Sequence, residues 1–410
     1  MRPALPRALS VLLCIALPAL AHEPIATVRV AFNRDGVTAT QVHGLADVRQ
    51  QRAVTADDPV RIASISKLVL TMGVMRLVEE GKLDLDADVS QYLGWQLRHP
   101  QYPQVPITLR MMLSHQSGLT DEAGYWATPL DGETRELLDD PRAWDPHAPG
   151  TWFRYTNLNF PLIAGAMERA TGERFDLLMQ RLVLAPAGIE ACYGWETCSD
   201  DFARRAVVLY DDKGEPAVDD NHAGKPACNV RRARDGSCDL SLWQPGRNGG
   251  AFSPQGGLRI SANGLARVGR LLLNGGQIDG ARILRPESVQ AMTTPQWTYQ
   301  PGNGQTWEDG EPEPPPGVPR ATLCRYGLST ITLASGHPDC GDDPFGDGVA
   351  RVGHSGNAYG LRSGLWIDPA SGTGVAYFAT GMDGAPLGTH SAYTAVEEQL
   401  ATGKPSSEPR

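Results

Sequence analysis

The stretch that decides the fold is R-I-A-S-I-S-K at residues 61–67, which runs directly into L-V-L-T-M-G-V-M-R-L-V. It places Ser64 and Lys67 at the head of an otherwise apolar run. Residues three apart lie on the same face of a helix, so these two side chains are predicted to meet one turn apart. A helix that is apolar on almost all sides is buried, and lysine is seldom buried without a partner. The stretch therefore predicts a buried helix from about Ser64 to Glu80, ended by Gly81, with a polar group at its start that needs an explanation.

Two interpretations of this polar group are open from the pattern alone. In the first, Ser64 is a nucleophile whose proton is taken by Lys67, because partial desolvation turns a lysine into a better base. In the second, Ser64 or Ser66 caps the helix and Lys67 extends its ammonium group to water. Because S-x-x-K is a short pattern that often arises by chance, it favours the second interpretation when it stands alone.

The order of the remaining patterns indicates an α+β fold. Residues 25–60 are typical of strands, with a hairpin turn at N-R-D-G, residues 33–36, and residues 360–381 predict two strands around a turn at 368–372. The part from about 85 to 250 has mainly helix and loop patterns. We therefore expect an antiparallel sheet built from both chain ends and flanked by helices, with a helical subregion inserted. The polar segments 210–248 and 299–320 are predicted loops of unknown role.

The first residues indicate export. Arg2 and Arg7 form a basic start, an apolar run follows, and A-L-A at residues 19–21 has the small-x-small form of a signal-peptidase site. Residues 1–21 are therefore predicted to be a signal peptide, 22–400 one domain, and 401–410 a flexible tail. Leu13 before Cys14 disfavours a lipoprotein anchor, and no later stretch approaches the ~18–20 apolar residues of a spanning helix. A periplasmic or secreted protein without a membrane anchor is expected.

The remaining cysteines form an even set, which in an exported chain suggests disulfides. Six cysteines allow ~15 connectivities, and pairing between neighbours in the chain is our prediction. Their spacing contains no C-x-x-C, and the histidines include no H-x-x-x-H on a helix, so no metal site is expected. The disulfide candidates are Cys192, Cys198, Cys228, Cys238, Cys324 and Cys340.

Charge and short motifs narrow the classes of function. The chain of 410 residues carries a formal charge of −10, which argues against nucleic acid or an anionic membrane as partner. Asp84, Asp86 and Asp88 resemble half of a calcium loop, but Val89 stands where the glycine is required. Neither a complete dinucleotide motif nor a G-x-S-x-G elbow is present, so no cofactor is expected and an α/β-hydrolase is disfavoured. A small molecule or a peptide is the expected partner, and the sequence gives no expectation of oligomeric state.

Further motifs around S-x-x-K change the balance between the two interpretations. The chain resembles the serine β-lactamase and penicillin-binding protein superfamily over about residues 25–400, and is most similar to class C β-lactamases, DD-carboxypeptidases and related esterases. The motifs that carry the resemblance are P-V-R-I-A-S-I-S-K (59–67), E-E-G-K-L-D-L-D-A-D-V (79–89), L-S-H-Q-S-G-L (113–119), P-G-T-W-F-R-Y-T-N (149–157), the helix pattern at 256–276, and G-H-S-G (353–356).

The resemblance implies a role for each matching residue. Ser64 would attack a carbonyl carbon and become acylated, and Lys67 would help to remove its proton. Tyr155 would pass that proton to the leaving group, acting as a base and then as an acid. Asn157 would hydrogen-bond Lys67 and the substrate amide. His115, within L-S-H-Q-S-G-L, is interpreted as a hydrogen-bonded structural histidine.

The resemblance also places His354, Ser355, Gly356 and Asn357 on a strand that lines the site. The backbone N–H groups of Ser64 and Asn357 would form the oxyanion hole. His354 would orient the tyrosine and meet a substrate carboxylate, in place of the lysine of a K-T-G motif. A histidine there is expected to titrate near neutrality, so that capture of an acidic substrate weakens as pH rises, unless Arg362 supplies a permanent charge.

The function implied by the resemblance is that of a metal-independent exported hydrolase with an acyl-enzyme at Ser64. D-Ala-D-Ala-type peptides or other amides rank first as substrates, then esters, then β-lactams, because the departure at His354 disfavours a β-lactamase. A catalytically idle binding or scaffold protein of the same fold is the alternative from another class, and the presence of all the reactive positions counts against it.

Overall fold

The structure is a computed structural model that describes residues 23–211, 213–217, 224–307 and 321–404. The predicted signal peptide at 1–21, Cys14, most of the tail, and parts of the two predicted loop segments lie outside these ranges. Within them, no helix has both the length and the apolar character that crossing a bilayer requires.

The described ranges contain short and long strands, helices, and single turns of 3₁₀ or π form. The strands are β1 (Ala26–Asn33), β2 (Val37–Asp47), β3 (Arg52–Ala53), β4 (Val60–Arg61), β5 (Ala191–Tyr193), β6 (Leu258–Ile260), β7 (Gln277–Ile278), β8 (Ala281–Arg282), β9 (Trp297–Thr298), β10 (Arg325–Tyr326), β11 (Ile331–Thr332), β12 (Val352–Ala358), β13 (Leu361–Asp368) and β14 (Thr373–Thr380). The helices are α1 (Ile65–Glu79), α2 (Ser90–Leu93), α3 (Leu109–Leu113), α4 (Asn159–Thr171), α5 (Phe175–Met179), α6 (Asp200–Arg204), α7 (Ala262–Leu273), α8 (Pro286–Thr293) and α9 (Ala395–Thr402). The 3₁₀ turns are Tyr125–Ala127, Thr134–Asp139, Pro141–Ala143 and Leu240–Leu242, and Gln180–Leu184 is a π turn.

The main sheet joins the two ends of the chain, as the sequence predicts. Its strand order is β3-β2-β1-β14-β13-β12-β11-β10-β9, and every neighbouring pair is antiparallel. The hairpin β1–β2 turns at N-R-D-G, where Asn33 Oδ1 accepts from the backbone N–H groups of Asp35 and Gly36. The register pairs Val30 with Ala376, so the first and last long strands lie side by side. A smaller sheet, β4-β6-β5, connects the start of α1 to the inserted region.

Helices cover both faces of the main sheet. On one face α7 packs closely enough that a Cβ added to Gly269 would lie 2.2 Å from the ring of Phe32. On the opposite face α9 joins a separate buried cluster that includes Trp366, Tyr377 and Leu400. Each fully buried side chain of this size contributes about 1.5–3 kcal/mol relative to its exposed state. The α+β sheet flanked by helices is thus confirmed.

Helix α1 is the buried helix that the sequence predicts, and it lies against β12. The side chain of Ser363 on β13 donates to the backbone oxygen of Ile62 at 2.9 Å. A Cβ added to Gly356 on β12 would lie 2.3 Å from the same oxygen. Only glycine permits this approach without movement, so β12 is held directly against the residues that precede Ser64.

The six cysteines are brought together in neighbouring pairs, in the chain order that was expected. Cys192 lies with Cys198 at a Cα–Cα distance of 5.3 Å, Cys228 with Cys238 at 5.7 Å, and Cys324 with Cys340 at 6.4 Å. All three separations are those of disulfides. Two of the pairs lie in or beside the inserted region, where few long strands or helices hold the backbone.

Candidate active site

The site begins at the junction between β4 and α1. Ala63 has a φ of 52°, a left-handed conformation that is unusual for a residue with a side chain. Ser64 follows at the helix start, is 9% exposed, and makes no capping hydrogen bond with its side chain. Lys67 Nζ donates to Ser64 Oγ at 2.8 Å. The two side chains therefore meet one turn apart, as their spacing predicts.

The surroundings of Lys67 exclude the interpretation in which it extends to water. Its side chain is 0% exposed, and Nζ also donates to the backbone oxygen of Gln255 at 3.1 Å. Nζ lies 4.8 Å from the ring centre of Tyr155 and 5.3 Å from that of Phe160. Two oxygen acceptors and two aromatic faces thus offset part of the cost of burying an ammonium group.

Ser66, the second serine of the motif, has a structural role at the start of α1. Its hydroxyl donates to the backbone oxygen of Ala63 at 2.6 Å and accepts from the N–H of Leu258 at 3.0 Å. Ser66 therefore fastens the start of α1 to β6, and it is fully buried in doing so.

Tyr155 lies between Lys67 and His115. Its ring stacks on His115, with ring centres 4.3 Å apart and an angle of 29° between planes. The backbone next to Tyr155 is held in place, because the N–H of Thr156 donates to His115 Nδ1 at 3.0 Å. The loops 113–119 and 149–157, which the sequence marks as separate motifs, thus meet at Tyr155.

Asn157 lies beside Tyr155, and Asp121 holds this loop in place. The side-chain nitrogen of Asn157 donates to Asp121 Oδ2 at 2.8 Å, and its backbone N–H donates to the same oxygen at 2.9 Å. The other carboxylate oxygen accepts from Thr156 Oγ1 and from the N–H of Leu158. The carboxylate of Asp121 is thus one partner of Asn157, and the bond to Lys67 that the resemblance implied stays a prediction.

A chain of hydrogen bonds links His115 to His354 through Tyr326. Tyr326 Oη lies 3.1 Å from His115 Nε2 and 2.8 Å from His354 Nε2, and His354 Nδ1 lies 2.5 Å from the backbone oxygen of Ser355. Because His115 Nδ1 accepts from Thr156, its proton is on Nε2 and donates to Tyr326. Tyr326 then donates to His354 Nε2, and the Nδ1–H of His354 donates to the carbonyl group.

His115 and His354, the two histidines that Tyr326 links, are held neutral. Burial, with a smaller effect from the positive charge of Lys67, lowers the pKa of His354 to about 3. The same two causes, together with His354, hold the pKa of His115 well below its ordinary value. The expectation that His354 titrates near neutrality is therefore wrong. Its partner is also different, because it hydrogen-bonds Tyr326, whereas its ring centre lies 6.3 Å from that of Tyr155.

Alternation along β12 separates the other expected residues of G-H-S-G-N. His354 and Gly356 lie on the face toward α1, because Gly356 is paired with Ser363 and approaches Ile62. Residues that are paired across an antiparallel ladder share a face, and their neighbours along the strand lie on the other face. Ser355 and Asn357 therefore direct their side chains to the α9 face, and only their backbone groups remain for the site.

Arg362 is on that same opposite face, as the partner of Asn357. Its charge acts on Glu397 of α9, whose pKa is raised by burial and lowered to a smaller extent by Arg362. Arg362 therefore does not replace the lysine of a K-T-G motif.

Three residues of the site were missed from the sequence. Asp121 follows L-S-H-Q-S-G-L closely and resembles an ordinary turn residue, and Gln255 contributes only its backbone oxygen. Tyr326 lies on a strand of two residues, where no periodicity is visible.

With the geometry established, comparison with known proteins identifies the class. The beta-lactamase family profile matches residues 18–399, and the chain belongs to this family. Among curated relatives it is 28% identical to the esterase EstB of Burkholderia gladioli over 47% of this chain and 52% of that protein. It is 31% identical to the D-alanyl-D-alanine-carboxypeptidase/endopeptidase AmpH of Escherichia coli (strain K12), over 37% of this chain and 40% of the relative.

Solved structures of other proteins share this fold. The octameric penicillin-binding protein homologue from Pyrococcus abyssi superposes with a TM-score of 0.64, at 19% identity, over 93% of this chain and 74% of the other. The chain spans about half the length or less of the curated relatives named above. Family and fold are thus shared over nearly the whole chain, while the similarity to individual enzymes covers only part of it.

Proposed function

We propose that this protein is an exported serine hydrolase that forms an acyl-enzyme at Ser64 and acts on amide or ester substrates, D-Ala-D-Ala-type peptides first among them. The observation that carries the proposal is the fully buried Lys67, whose Nζ lies 2.8 Å from Ser64 Oγ. A buried ammonium group without a catalytic use would be an expensive feature to retain, since hydrophobic residues could fill the same space.

The proposed reaction uses the residues of the site in two steps. Ser64 Oγ attacks the substrate carbonyl carbon, its proton passes to Tyr155 acting as the base, and the carbonyl oxygen receives the negative charge, while Lys67 stays an ammonium group that donates to Ser64 Oγ. Collapse of this intermediate breaks the bond to the leaving group, which takes a proton from Tyr155. Water then attacks the acyl-enzyme and returns the Ser64 hydroxyl. Tyr155 is suited to this exchange because the lysine lies 4.8 Å from the centre of its ring.

The developing oxyanion needs donors aimed at it. We propose the backbone N–H groups of Ser64 and Asn357, which α1 and β12 carry on either side of the close contact at Gly356. Asn157 remains a proposed substrate contact, and Asp121 holds its side-chain nitrogen in place. His354, neutral and bonded to Tyr326, would serve in positioning β12 and would not capture a substrate carboxylate.

Covalent labelling tests the proposal. A fluorophosphonate or a fluorescent penicillin should modify Ser64, as peptide mass mapping would show, and Ser64→Ala should abolish labelling. Ser66→Ala is the matched control, because Ser66 is two residues away and its hydroxyl only fastens α1 to its neighbours. A folded sample in which neither reagent modifies Ser64 would refute the enzyme and favour an idle scaffold of the same fold.

Turnover of three substrates then ranks the alternatives. Ester hydrolysis is the second candidate, because EstB matches 47% of this chain, against 37% for AmpH. A D-Ala-D-Ala peptide, a 4-nitrophenyl ester and a chromogenic cephalosporin separate the peptidase, the esterase and the β-lactamase. We expect the cephalosporin to be the poorest substrate, because a neutral His354 stands where a permanent positive charge would hold its carboxylate.

We also propose that residues 1–21 are removed on export and that residues 22–400 form the hydrolase domain. The intact mass of protein from the periplasm or medium should then correspond to a chain that starts at His22. A mature chain that retains Met1 would contradict this part of the proposal.

A further inference from the structure

A cleft of about 400 Å³ adjoins the proposed catalytic residues. Gln255, whose backbone oxygen accepts from Lys67, forms part of its wall. Arg61, three residues before Ser64, and Tyr359, directly after β12, form other parts. The wall of the cleft therefore includes residues close in sequence to both proposed oxyanion donors, Ser64 and Asn357.

The exposed aromatic side chains of the described part of the chain lie in this cleft. Trp126 is 64% exposed and Tyr359 is 43% exposed, whereas the other large exposed hydrophobic residues are aliphatic and lie elsewhere. Tyr125 packs edge-on against Trp126, with ring centres 5.3 Å apart. Aromatic surface that is left in water at the mouth of a cleft is typical of a site that buries an apolar ligand group.

The charge of the cleft is opposite to that of the protein. It contains Arg61 and Arg231, and no acid is among the described residues that line it, although the chain carries a net charge of −10. Arg61 lies over the ring of Tyr359 at 5.0 Å. Arg231 is exposed, and one of its nitrogens donates to the backbone oxygen of Trp126 at 3.2 Å. An arginine held in this way still presents further N–H donors to a ligand.

Two acids that act on residues of the cleft wall, Asp121 on Tyr125 and Glu196 on Asn229, are themselves hydrogen-bonded. Asp121 accepts from Thr156, Asn157 and Leu158. Glu196 accepts from the side-chain nitrogen of Asn229, a residue of the cleft wall.

The loop that carries Arg231 is fastened at several points. The Cys228–Cys238 pair closes it, and Arg234 binds Asp131 through its backbone N–H and Glu136 through its guanidinium group. A loop fixed in this way loses little further freedom when a ligand binds, so its side chains are preorganised for recognition.

We infer that this cleft binds a substrate group in which an aromatic ring is joined to a carboxylate, with the ring against Trp126 and Tyr359 and the carboxylate at Arg231. The inference rests on the proposed function, because it gives the acyl-transfer site a substrate class. It assigns specificity to the 210–248 segment, whose role the sequence left open.

Binding of a non-reactive ligand tests the inference without any need for catalysis. Calorimetric titration with 3-phenylpropanoate and with neutral 3-phenylpropanamide compares two ligands of nearly equal shape. We expect the carboxylate to bind about tenfold more tightly, and Arg231→Gln to remove that difference, because one charge-assisted hydrogen bond is lost.

Arg232→Gln is the matched control. It removes the same charge one residue away, where the guanidinium donates to Gly236 within the loop and does not line the cleft. This variant should keep the preference for the carboxylate, while Trp126→Ala should weaken both ligands about fivefold. Equal binding of the two ligands, or a preference that survives Arg231→Gln, would overturn the inference.

Competition with fluorophosphonate connects the cleft to Ser64. Bound 3-phenylpropanoate should slow labelling of Ser64 in the unmodified protein and in Arg232→Gln, but not in Arg231→Gln. Binding without protection would also overturn the inference, since the cleft would then lie apart from the substrate. If Ser64 is not labelled even without a ligand, the proposed function fails, and the titrations still report on the cleft independently.

Discussion

Replacement of Tyr326 by phenylalanine is the sharpest test of the hydrogen-bond chain beneath Tyr155. The substitution keeps the ring that packs 5.4 Å from Phe153, so it opens no large cavity. It removes the hydroxyl that accepts from His115 Nε2 and donates to His354 Nε2. Two buried imidazole nitrogens thereby lose their partner, and each unsatisfied group costs about 1–3 kcal/mol. We therefore expect a loss of about 2–6 kcal/mol in the free energy of unfolding.

The measurement is denaturant unfolding at pH 7, with Tyr377→Phe as the control. Tyr377 is equally buried, but its hydroxyl accepts a single bond of 3.3 Å from Trp366 and contacts neither His115 nor His354. This control should lose about 1 kcal/mol. The rate at which Ser64 is labelled should fall about tenfold in Tyr326→Phe alone, since the stacking partner of Tyr155 is loosened. Equal losses of stability in the two variants would refute the reasoning.

Three further predictions concern the same site. As pH drops from about 6.5 toward 3, the free energy of unfolding of the unmodified protein should fall by about 1.4 kcal/mol per pH unit more than that of His354→Gln. The reason is that the unfolded histidine binds a proton, whereas the folded one, with its pKa of about 3, does not. Parallel pH curves for the two proteins would contradict this. Gly356→Ala should slow labelling of Ser64 more than tenfold, because the new Cβ would lie 2.3 Å from the Ile62 oxygen and would displace β12, and an unchanged rate would show that β12 need not lie so close. Asp121→Asn should lower the free energy of unfolding by about 2–3 kcal/mol in thermal or denaturant melts, because an amide nitrogen would face N–H and O–H groups that donate to a carboxylate; a wild-type melting curve would contradict the assigned role.

The parts of the site that sequence could predict are those fixed by local geometry. Ser64 and Lys67 meet because a helix places residues three apart on one face, whatever else surrounds them. The antiparallel sheet followed from two hairpins with clear turns at the chain ends. The alternation along β12 could also have separated His354 from Ser355 once a strand was expected there.

The parts that were missed or wrong depend on contacts between distant segments. The pKa of His354 follows from full burial beside Lys67, and no local pattern shows either. Tyr326 is brought to two histidines by a strand too short to have a period. Gln255 acts through its backbone oxygen, which every residue carries, and aspartate is common in turns, so the type of these two residues says little about their position.

The pairing of β1 with β14 has a consequence for the order in which the molecule can assemble. Each terminal hairpin can form by itself, but the ladder between Val30 and Ala376 joins segments separated by almost the whole chain. Closing such a loop costs chain entropy before any contact offsets it, and long-range pairing is accordingly slow. The main sheet, which contains β12 and against which α1 packs, is then completed only after β14 has docked on β1. A reactive Ser64 would therefore mark a finished fold, and its labelling during refolding would time the last step of assembly.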